Sequence, residues 1–303
     1  MKNKALKRLI LGLSLLVTFL PSLSFALGIH FKHDTVTNSG YKLKTIIIDP
    51  GHGGHHPAGA PGNYSNGASG SYSFERNVTL ALALKLQKEI EKEIPNLKVV
   101  LTRTTEDDVS FQRRAQIANE NKGDLFISLH CNSLPDRHIH EVVGHKHHKP
   151  IYHTISVPDH SGRGVLMLVY GFWRSGEGEN AIKQNKIEGG DSEMNSDPDP
   201  NDPASLILMN EYKRKYRKQS IHLAELIDTE LVNTDGRHNE GIREQGIYVL
   251  CHSAMPAVLV ETGYIDNPDD EAYLNSEDGQ NEIVASIVRA IINYKAEVEQ
   301  VSP

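Results

Sequence analysis

Cysteines and aromatic residues are scarce in this chain. Cys131 and Cys251 are the only cysteines among 303 residues, too few for a disulfide-stabilised scaffold, although an oxidising compartment would allow them to pair. Aromatic residues make up 6% of the sequence, and neither an internal repeat nor an aromatic platform marks a separate binding domain. The fold must therefore depend on a hydrophobic core, which a chain of this length with 38% hydrophobic residues can bury.

The sequence also lacks an excess of basic residues. It has 32 Lys and Arg against 39 Asp and Glu, which gives a formal net charge of -7, and no basic stripe accompanies them. Because nucleic-acid-binding surfaces carry clustered positive charge, we expect no nucleic-acid partner. Beyond the N-terminal region, no apolar run approaches the roughly 20 residues that cross a bilayer.

The N-terminus has the pattern of a secretory signal peptide. Basic residues come first, an apolar run covers residues 9–20, and Ser24-Phe25-Ala26 supplies the small-x-small pattern that signal peptidase cuts. The alternative is an uncleaved membrane anchor, but the apolar run is short for a membrane span. We therefore predict a signal peptide over residues 1–26 and an exported protein of the periplasm or cell envelope.

Apolar runs alternate with segments of helical periodicity along the rest of the chain. The predicted strands are Thr45–Ile48, Lys98–Thr102, Asp124–His130 and Ala257–Val260, with a further apolar run at Gly246–Leu250; the predicted helices are Phe74–Ile90, Phe111–Asn121, Glu211–Asn233 and Asn281–Glu297. We expect Cys131 and Cys251 each to lie beside a strand end. This order predicts an α/β fold, a single domain with a central, mostly parallel twisted sheet flanked by helices.

A polar insertion interrupts this pattern over residues 134–204. We predict one strand in it, Val165–Tyr170, and one helix, Glu179–Glu188. Seven histidines lie between His138 and His160, either in an exposed, weakly metal-binding loop or in a second ordered metal site; their irregular spacing favours the loop. The predicted organisation is a signal peptide 1–26, a lead-in linker 27–43, a catalytic domain 44–295 containing this insertion, and a tail 296–303.

Four polar residues are expected to converge at one edge of the sheet. His52 follows the first strand in a glycine-rich turn, His130 ends the third strand and Glu261 ends the most apolar strand. Ligands of open α/β sheets bind beyond the carboxyl ends of the strands, and the loop that precedes Glu75 returns from that edge. Two imidazoles and one carboxylate form a recurrent catalytic zinc site. Taken singly, each histidine could be structural, and Glu75 could be an acid favoured at a helix start.

Five motifs in order resemble the zinc-dependent N-acetylmuramoyl-L-alanine amidases of bacterial cell-wall turnover. They are Ile48-Asp49-Pro50-Gly51-His52-Gly53-Gly54, Phe74-Glu75-Arg76-Asn77, Leu101-Thr102-Arg103, Ser128-Leu129-His130-Cys131-Asn132 and Val260-Glu261-Thr262-Gly263-Tyr264-Ile265-Asp266-Asn267. The resemblance implies one Zn²⁺ held by His52, Glu75 and His130, with Glu261 as the catalytic acid/base. It also implies peptidoglycan as the substrate, cut between the lactyl group of muramic acid and L-alanine.

The insertion resembles, more weakly, a regulatory feature of exported amidases that act in daughter-cell separation. Some of these enzymes carry a helix that covers the zinc until an activator protein displaces it. Residues 177–190 are the corresponding segment here, with Glu179 and Glu188 as candidate metal-capping residues. An activator is therefore an expected partner besides peptidoglycan.

Two other functions remain open from the residues alone. A zinc peptidase acting on other substrates would be expected to show His-Glu-x-x-His on a helix, and the sequence has no such motif. A non-catalytic wall-binding module would need no base, so the presence of Glu261 argues against it.

Overall fold

The computed structural model describes residues 42–54, 66–147, 149–171 and 203–300, with the backbone alone over 203–213. The predicted signal peptide and nearly all of the predicted lead-in lie outside these residues. So does the predicted regulatory helix 177–190, including Glu179 and Glu188. Within the described part of the chain, no helix is both long and apolar enough to cross a membrane.

A six-stranded sheet forms the centre of the fold, in the order β2-β1-β3-β8-β6-β7. Its strands are β1 (Thr45–Pro50), β2 (Lys98–Leu101), β3 (Leu125–Asn132), β6 (Val165–Tyr170), β7 (Asn239–Gln245) and β8 (Ala257–Tyr264). All neighbours pair in parallel except β6 and β8, which are antiparallel. The predicted α/β fold with a mostly parallel central sheet is confirmed.

Helices cover both faces of this sheet. They are α1 (Glu75–Glu93), α2 (Phe111–Glu120), α3 (Pro203–Asn233), α4 (Tyr248–His252), α5 (Pro268–Asn275) and α6 (Glu277–Val298). On β1, Ile46 and Ile48 pack into the core under α1, α3 and α6, whereas Ile47 packs into a second core with residues of α2 and α4. Burial on both faces explains why the central strands are apolar runs without alternation.

Three features of the fold differ from the expectations. Val165–Tyr170 is a strand, but it belongs to the central sheet beside β8, so only part of the polar insertion lies outside that sheet. A separate hairpin, β4 (Arg137–Lys146) and β5 (Lys149–Val157), carries most of the clustered histidines. The alternating, β-branched run 151–157 was a strand signal that the sequence analysis did not use. The sequence analysis also missed the edge strand β7. An edge strand buries less apolar surface, and the sequence of β7, Asn-Glu-Gly-Ile-Arg-Glu-Gln, has one apolar side chain.

The prediction that Cys251 lies beside a strand end was wrong. The apolar run that precedes it forms the short helix α4, and Cys251 lies inside that helix. A short apolar run cannot be assigned to strand or helix by periodicity alone, which explains the error. Cys131 lies in β3, as expected. Both thiols are free and buried, so they do not pair with each other.

Candidate active site

The site lies at the edge of the sheet to which the carboxyl ends of three adjacent parallel strands point, although β8 continues for three residues beyond Glu261, which was expected to end it. His52 follows β1 directly after Gly51, and His130 lies near the end of β3. Glu261, on β8, is the register partner of His130 across the strand pair. Register partners on adjacent strands project from the same face of a sheet, so the order β1-β3-β8 by itself places these groups together.

The turn after β1 holds His52 in an unusual backbone conformation. His52 has a φ of 59°, in the left-handed region that costs a residue other than glycine about 1–3 kcal/mol. A Cβ on Gly51 would lie 2.4 Å from Cε1 of His130, and a Cβ on Gly53 would lie 2.2 Å from Cα of Asp108. Glycine at position 51 therefore lets the backbone approach the ring of His130, and glycine at position 53 lets it pass close to Asp108.

Two buried arginines hold the carbonyl groups of this turn. Arg114 donates from Nη1 to the carbonyl of Pro50 at 2.6 Å and from Nη2 to the carbonyl of His52 at 2.8 Å. Arg103 donates from Nε to the carbonyl of Pro50 and from Nη2 to that of Gly51, at 3.0 and 2.8 Å. These hydrogen bonds fix the backbone that carries His52.

Asp49 balances the charge of Arg114. Its Oδ1 accepts from Arg114 at 2.7 Å and from the hydroxyl of Thr102 at 2.5 Å, and its Oδ2 accepts from the hydroxyl of Ser128 at 2.7 Å. Burial opposes ionisation of Asp49, but Arg114 and these hydrogen bonds outweigh it and lower the pKa of the carboxyl group. The site is thus supported by a charged network with satisfied partners.

Glu75 joins the two histidines. It is the first residue of α1 and only 3% exposed, and its Oε1 lies 2.9 Å from Nδ1 of His130 and 3.2 Å from Nε2 of His52. The backbone N–H of Cys131 also donates to Oε1, and that of Ala68 donates to Oε2. Burial opposes ionisation, but the hydrogen bonds and charges of the two imidazoles lower the pKa of Glu75 well below its usual value.

This group of side chains fits a zinc ion. One ligand atom from each of His52, Glu75 and His130 lies within 4.8 Å of the others, and two imidazole nitrogens with one carboxylate oxygen are a donor set that catalytic zinc uses. The two rings are 4.7 Å apart and nearly perpendicular, at 80°. The structure therefore brings the three sequence-predicted ligands together.

Glu261 has a carboxylate oxygen that no described residue satisfies. Its Oε2 is buried and has no hydrogen-bond partner in the described part of the chain. Burial and the charge of Glu75 both raise the pKa of Glu261 well above its ordinary value. A buried carboxylate oxygen without a partner costs stability, so its position beside the three candidate ligands favours a functional role.

A small, mostly apolar cavity adjoins the two histidines. It has a volume of about 120 Å³. Its lining comprises Asp49, Gly51, His52, Phe111, Arg114, His130, Ile247, Tyr248, Val249 and Leu259. This volume is below the roughly 300–1,000 Å³ of ligand-binding pockets, so the cavity by itself does not define a substrate site.

Residues 46–293 match the family model described as N-acetylmuramoyl-L-alanine amidase. The chain belongs to this family. It is 26% identical over 251 residues to the uncharacterized protein YqiI of Bacillus subtilis, covering 83% of this chain and 84% of YqiI. It is also 26% identical over 252 residues to N-acetylmuramoyl-L-alanine amidase AmiC of Escherichia coli, covering 83% of this chain but 53% of AmiC, so it spans about half of that relative.

Solved amidase structures have the same fold as this amidase. The CwlD amidase of Clostridioides difficile, solved in complex with the GerS lipoprotein, superposes with a TM-score of 0.54. The superposition covers 83% of this chain and 98% of the CwlD chain, with 20% sequence identity. Identity at this level shows the fold alone.

Sequence reasoning missed part of the amidase's support structure. Arg103 stood in one of the quoted motifs without a role, and Arg114 was not singled out at all. A signal for Arg114 existed: it lies on the apolar side of α2 with Ala115 and Ala118, where an arginine is expensive unless it is paired. Glu271 gave no signal, because its partners are backbone and hydroxyl groups about 200 positions away in the sequence.

The clustered histidines do not form a second metal site among the residues that the structure describes. There, the set of His52, Glu75 and His130 is the single group of three or more such side chains close enough to share an ion. The described histidines of the hairpin instead lie on exposed strands, and His140 contacts the hydroxyl of Thr154 through Nδ1. The exposure of these histidines agrees with the expectation, but they lie in a paired hairpin rather than in the expected loop.

Proposed function

We propose that this amidase is a zinc-dependent hydrolase of peptidoglycan that cleaves the amide bond between the lactyl group of N-acetylmuramic acid and L-alanine. The observation that carries the proposal is the convergence of His52, Glu75 and His130 beside the unpaired carboxylate of Glu261. Membership of the amidase family supports the choice of bond.

The chemistry follows from the roles of these four side chains. His52, Glu75 and His130 would hold the ion, and zinc bound there would polarise the substrate carbonyl and lower the pKa of water. Glu261 accepts the proton of the attacking water and later delivers it to the nitrogen of the leaving L-alanine. Arg103 and Arg114 keep the turn that carries His52 in place during this reaction.

Metal content and peptide release together test the proposal. Wild-type protein should contain one zinc per chain and release stem peptides with free amino groups from purified sacculi, and a chelator should stop the release. Glu261→Gln should retain zinc and lose at least about 100-fold in rate, the lower end of what a general acid/base contributes. Glu240→Gln, on the edge strand β7, is the matched control and should keep full activity. Wild-type turnover by Glu261→Gln would refute the assignment.

The same assay separates the two alternatives. A zinc peptidase acting on other substrates would leave the lactyl–alanine bond intact, which mass spectrometry of the digested fragments would show. A non-catalytic wall-binding module would bind sacculi without releasing peptides. The unpaired carboxylate of Glu261 favours the enzyme over this module, since a structural zinc site needs no base.

Export to the periplasm or cell envelope is part of the proposal, because peptidoglycan lies outside the cytoplasmic membrane. The N-terminal pattern over residues 1–26 supports it, and cell fractionation with N-terminal sequencing of the mature protein tests it. An activator protein stays a prediction from the sequence. The complex of the Clostridioides difficile amidase with a lipoprotein is a precedent for a protein partner on this fold.

A further inference from the structure

We propose that Glu271 is a positioning residue for Glu75. Its carboxylate fixes the turn Gly67–Phe74, and this turn fixes the carboxylate of Glu75 beside His52 and His130. The inference rests on the proposed function, since it takes Glu75 to be a metal ligand.

The first step is the contact between Glu271 and the tip of the turn. Glu271 is the fourth residue of α5 and is 1% exposed. Its Oε2 accepts from the N–H and hydroxyl of Ser71, at 2.9 and 2.5 Å. Its Oε1 accepts from the N–H of Tyr72 at 3.0 Å and from the N–H and hydroxyl of Ser73, at 2.9 and 2.8 Å. One carboxylate thus accepts five hydrogen bonds from three consecutive residues of the tip.

The second step leads from the turn to Glu75. A bridge between Ser69 and Phe74 closes the turn, and the N–H of Glu75 donates to the carbonyl of Ala68 at 3.0 Å. The N–H of Ala68 in return donates to Oε2 of Glu75 at 2.7 Å. The turn therefore anchors the Glu75 carboxylate at Oε2, while Oε1 faces the two imidazoles and accepts from the N–H of Cys131.

The turn buries little apolar surface of its own, although Asn275 also donates to the hydroxyl of Ser73 and Ala68 packs against the core. Its sequence is Gly-Ala-Ser-Gly-Ser-Tyr-Ser-Phe, and its one tyrosine, Tyr72, is 64% exposed. Small side chains bury little apolar surface, and each glycine adds conformational freedom to the unfolded state. A Cβ on Gly70 would lie 2.1 Å from Oε1 of Glu271, so the backbone is packed directly against the carboxylate. Glu271 supplies the order that the turn sequence lacks.

Asp270 provides a matched control from the same helix. It is also buried, and its Oδ2 accepts from the N–H groups of Gly164 and Tyr264, while its Oδ1 pairs with Arg237. These partners lie at β6, β8 and the segment before β7, none of them in the turn that contacts Glu75. Asp270→Asn and Glu271→Gln each replace a buried carboxylate by an amide, but only Glu271 of this pair contacts the turn before Glu75.

The test measures zinc affinity of the full chain by competition with a chromogenic chelator. We expect Glu271→Gln to weaken zinc binding roughly tenfold, as loss of a group that orients a ligand commonly does, because the amide NH₂ faces N–H donors. Glu271→Asp keeps the charge and should recover part of the affinity. The zinc affinity of Asp270→Asn should stay within threefold of the wild-type value, even if its Tm falls as far as that of Glu271→Gln.

The outcomes separate this inference from the proposed function. Zinc affinity of Glu271→Gln within threefold of wild type, or an equal loss in Asp270→Asn, overturns the inference and leaves the proposed function standing. Wild-type protein that binds no zinc overturns both. If Glu271→Gln does not fold, Ser71→Ala/Ser73→Ala carries the test, since it removes two donors from the turn and leaves Glu271 in place; unchanged zinc affinity there also counts against the inference.

Discussion

Replacement of Arg114 by methionine should be among the most destabilising single changes in this amidase. Its guanidinium pairs with Asp49 at 2.7 Å and Asp108 at 2.8 Å, and it also donates to the carbonyls of Pro50, His52 and Val109. The side chain is 2% exposed, so water cannot replace these partners. Methionine is unbranched, uncharged and without donors, so it removes the charge and the hydrogen bonds while it keeps much of the side-chain volume.

The magnitude follows from what the substitution leaves behind. Removing one partner of a buried ion pair costs about 3–5 kcal/mol, because the remaining charge is uncompensated. Here Asp49 loses its cationic partner while it stays buried, so we expect a loss near the upper end, about 5 kcal/mol. For a domain of this size, about 1 kcal/mol shifts Tm by roughly 2–4 °C, so Tm should fall by roughly 10–20 °C.

Urea unfolding of Arg114→Met measures this loss, and Arg113→Met is the control. Arg113 is the neighbouring residue, 50% exposed, and pairs with Glu120 at the surface, where an ion pair contributes about 0–1 kcal/mol. Adding Asp49→Asn to Arg114→Met removes the stranded charge and should restore part of the stability. Losses of similar size in the two single arginine variants, or no recovery in the double variant, would refute the reasoning.

Three further predictions concern other parts of the chain. Glu271 has a folded pKa of about 2, below its usual 4.5, so its ionised carboxylate stabilises the fold fully above pH 5, by at most about 3 kcal/mol. This stabilisation is lost as pH falls toward 2, and about 2 kcal/mol of it should be gone at pH 3. The stability deficit of Glu271→Gln, measured by urea unfolding, should therefore shrink by about that amount between pH 5 and pH 3. Gly51→Ala should leave less than one zinc per chain by elemental analysis, because its Cβ would lie 2.4 Å from the His130 ring. Cys131 and Cys251 should react with a thiol reagent only after unfolding, and a reductant should leave Tm unchanged; fast reaction in the native state would contradict their burial.

The sequence was most informative where one local pattern determines both structure and position. The apolar runs before His52 and His130 predicted where strands β1 and β3 end. Because these two strands pair in parallel, their ends lie at one edge of the sheet. Glu261 was predictable for the same reason, since it interrupts the apolar strand β8. Such residues can be found from sequence because the sheet topology converts positions along the chain into proximity.

Residues that act through tertiary contacts could not be found in this way. Glu271 lies in a short helix with several other acidic residues, and nothing in that segment distinguishes it from Asp269, which is exposed. Only the folded chain shows that its carboxylate meets the turn tip at Ser71. The edge strand β7 was missed for a related reason: an exposed strand has a weak hydrophobic pattern, so its pairing is decided by neighbours rather than by its own sequence. The hairpin differs, because its β5 carries a β-branched alternating run that could have been read as a strand.

The two carboxylates of the site have pKa values displaced in opposite directions, and this separation is what their proposed roles require. Hydrogen bonds from two imidazoles lower the pKa of Glu75, so it stays ionised and can act as a ligand. Burial beside that charge raises the pKa of Glu261, which brings it closer to the range in which a group exchanges protons. Under the proposed function, the two glutamates of one site would thus take different roles because of their surroundings.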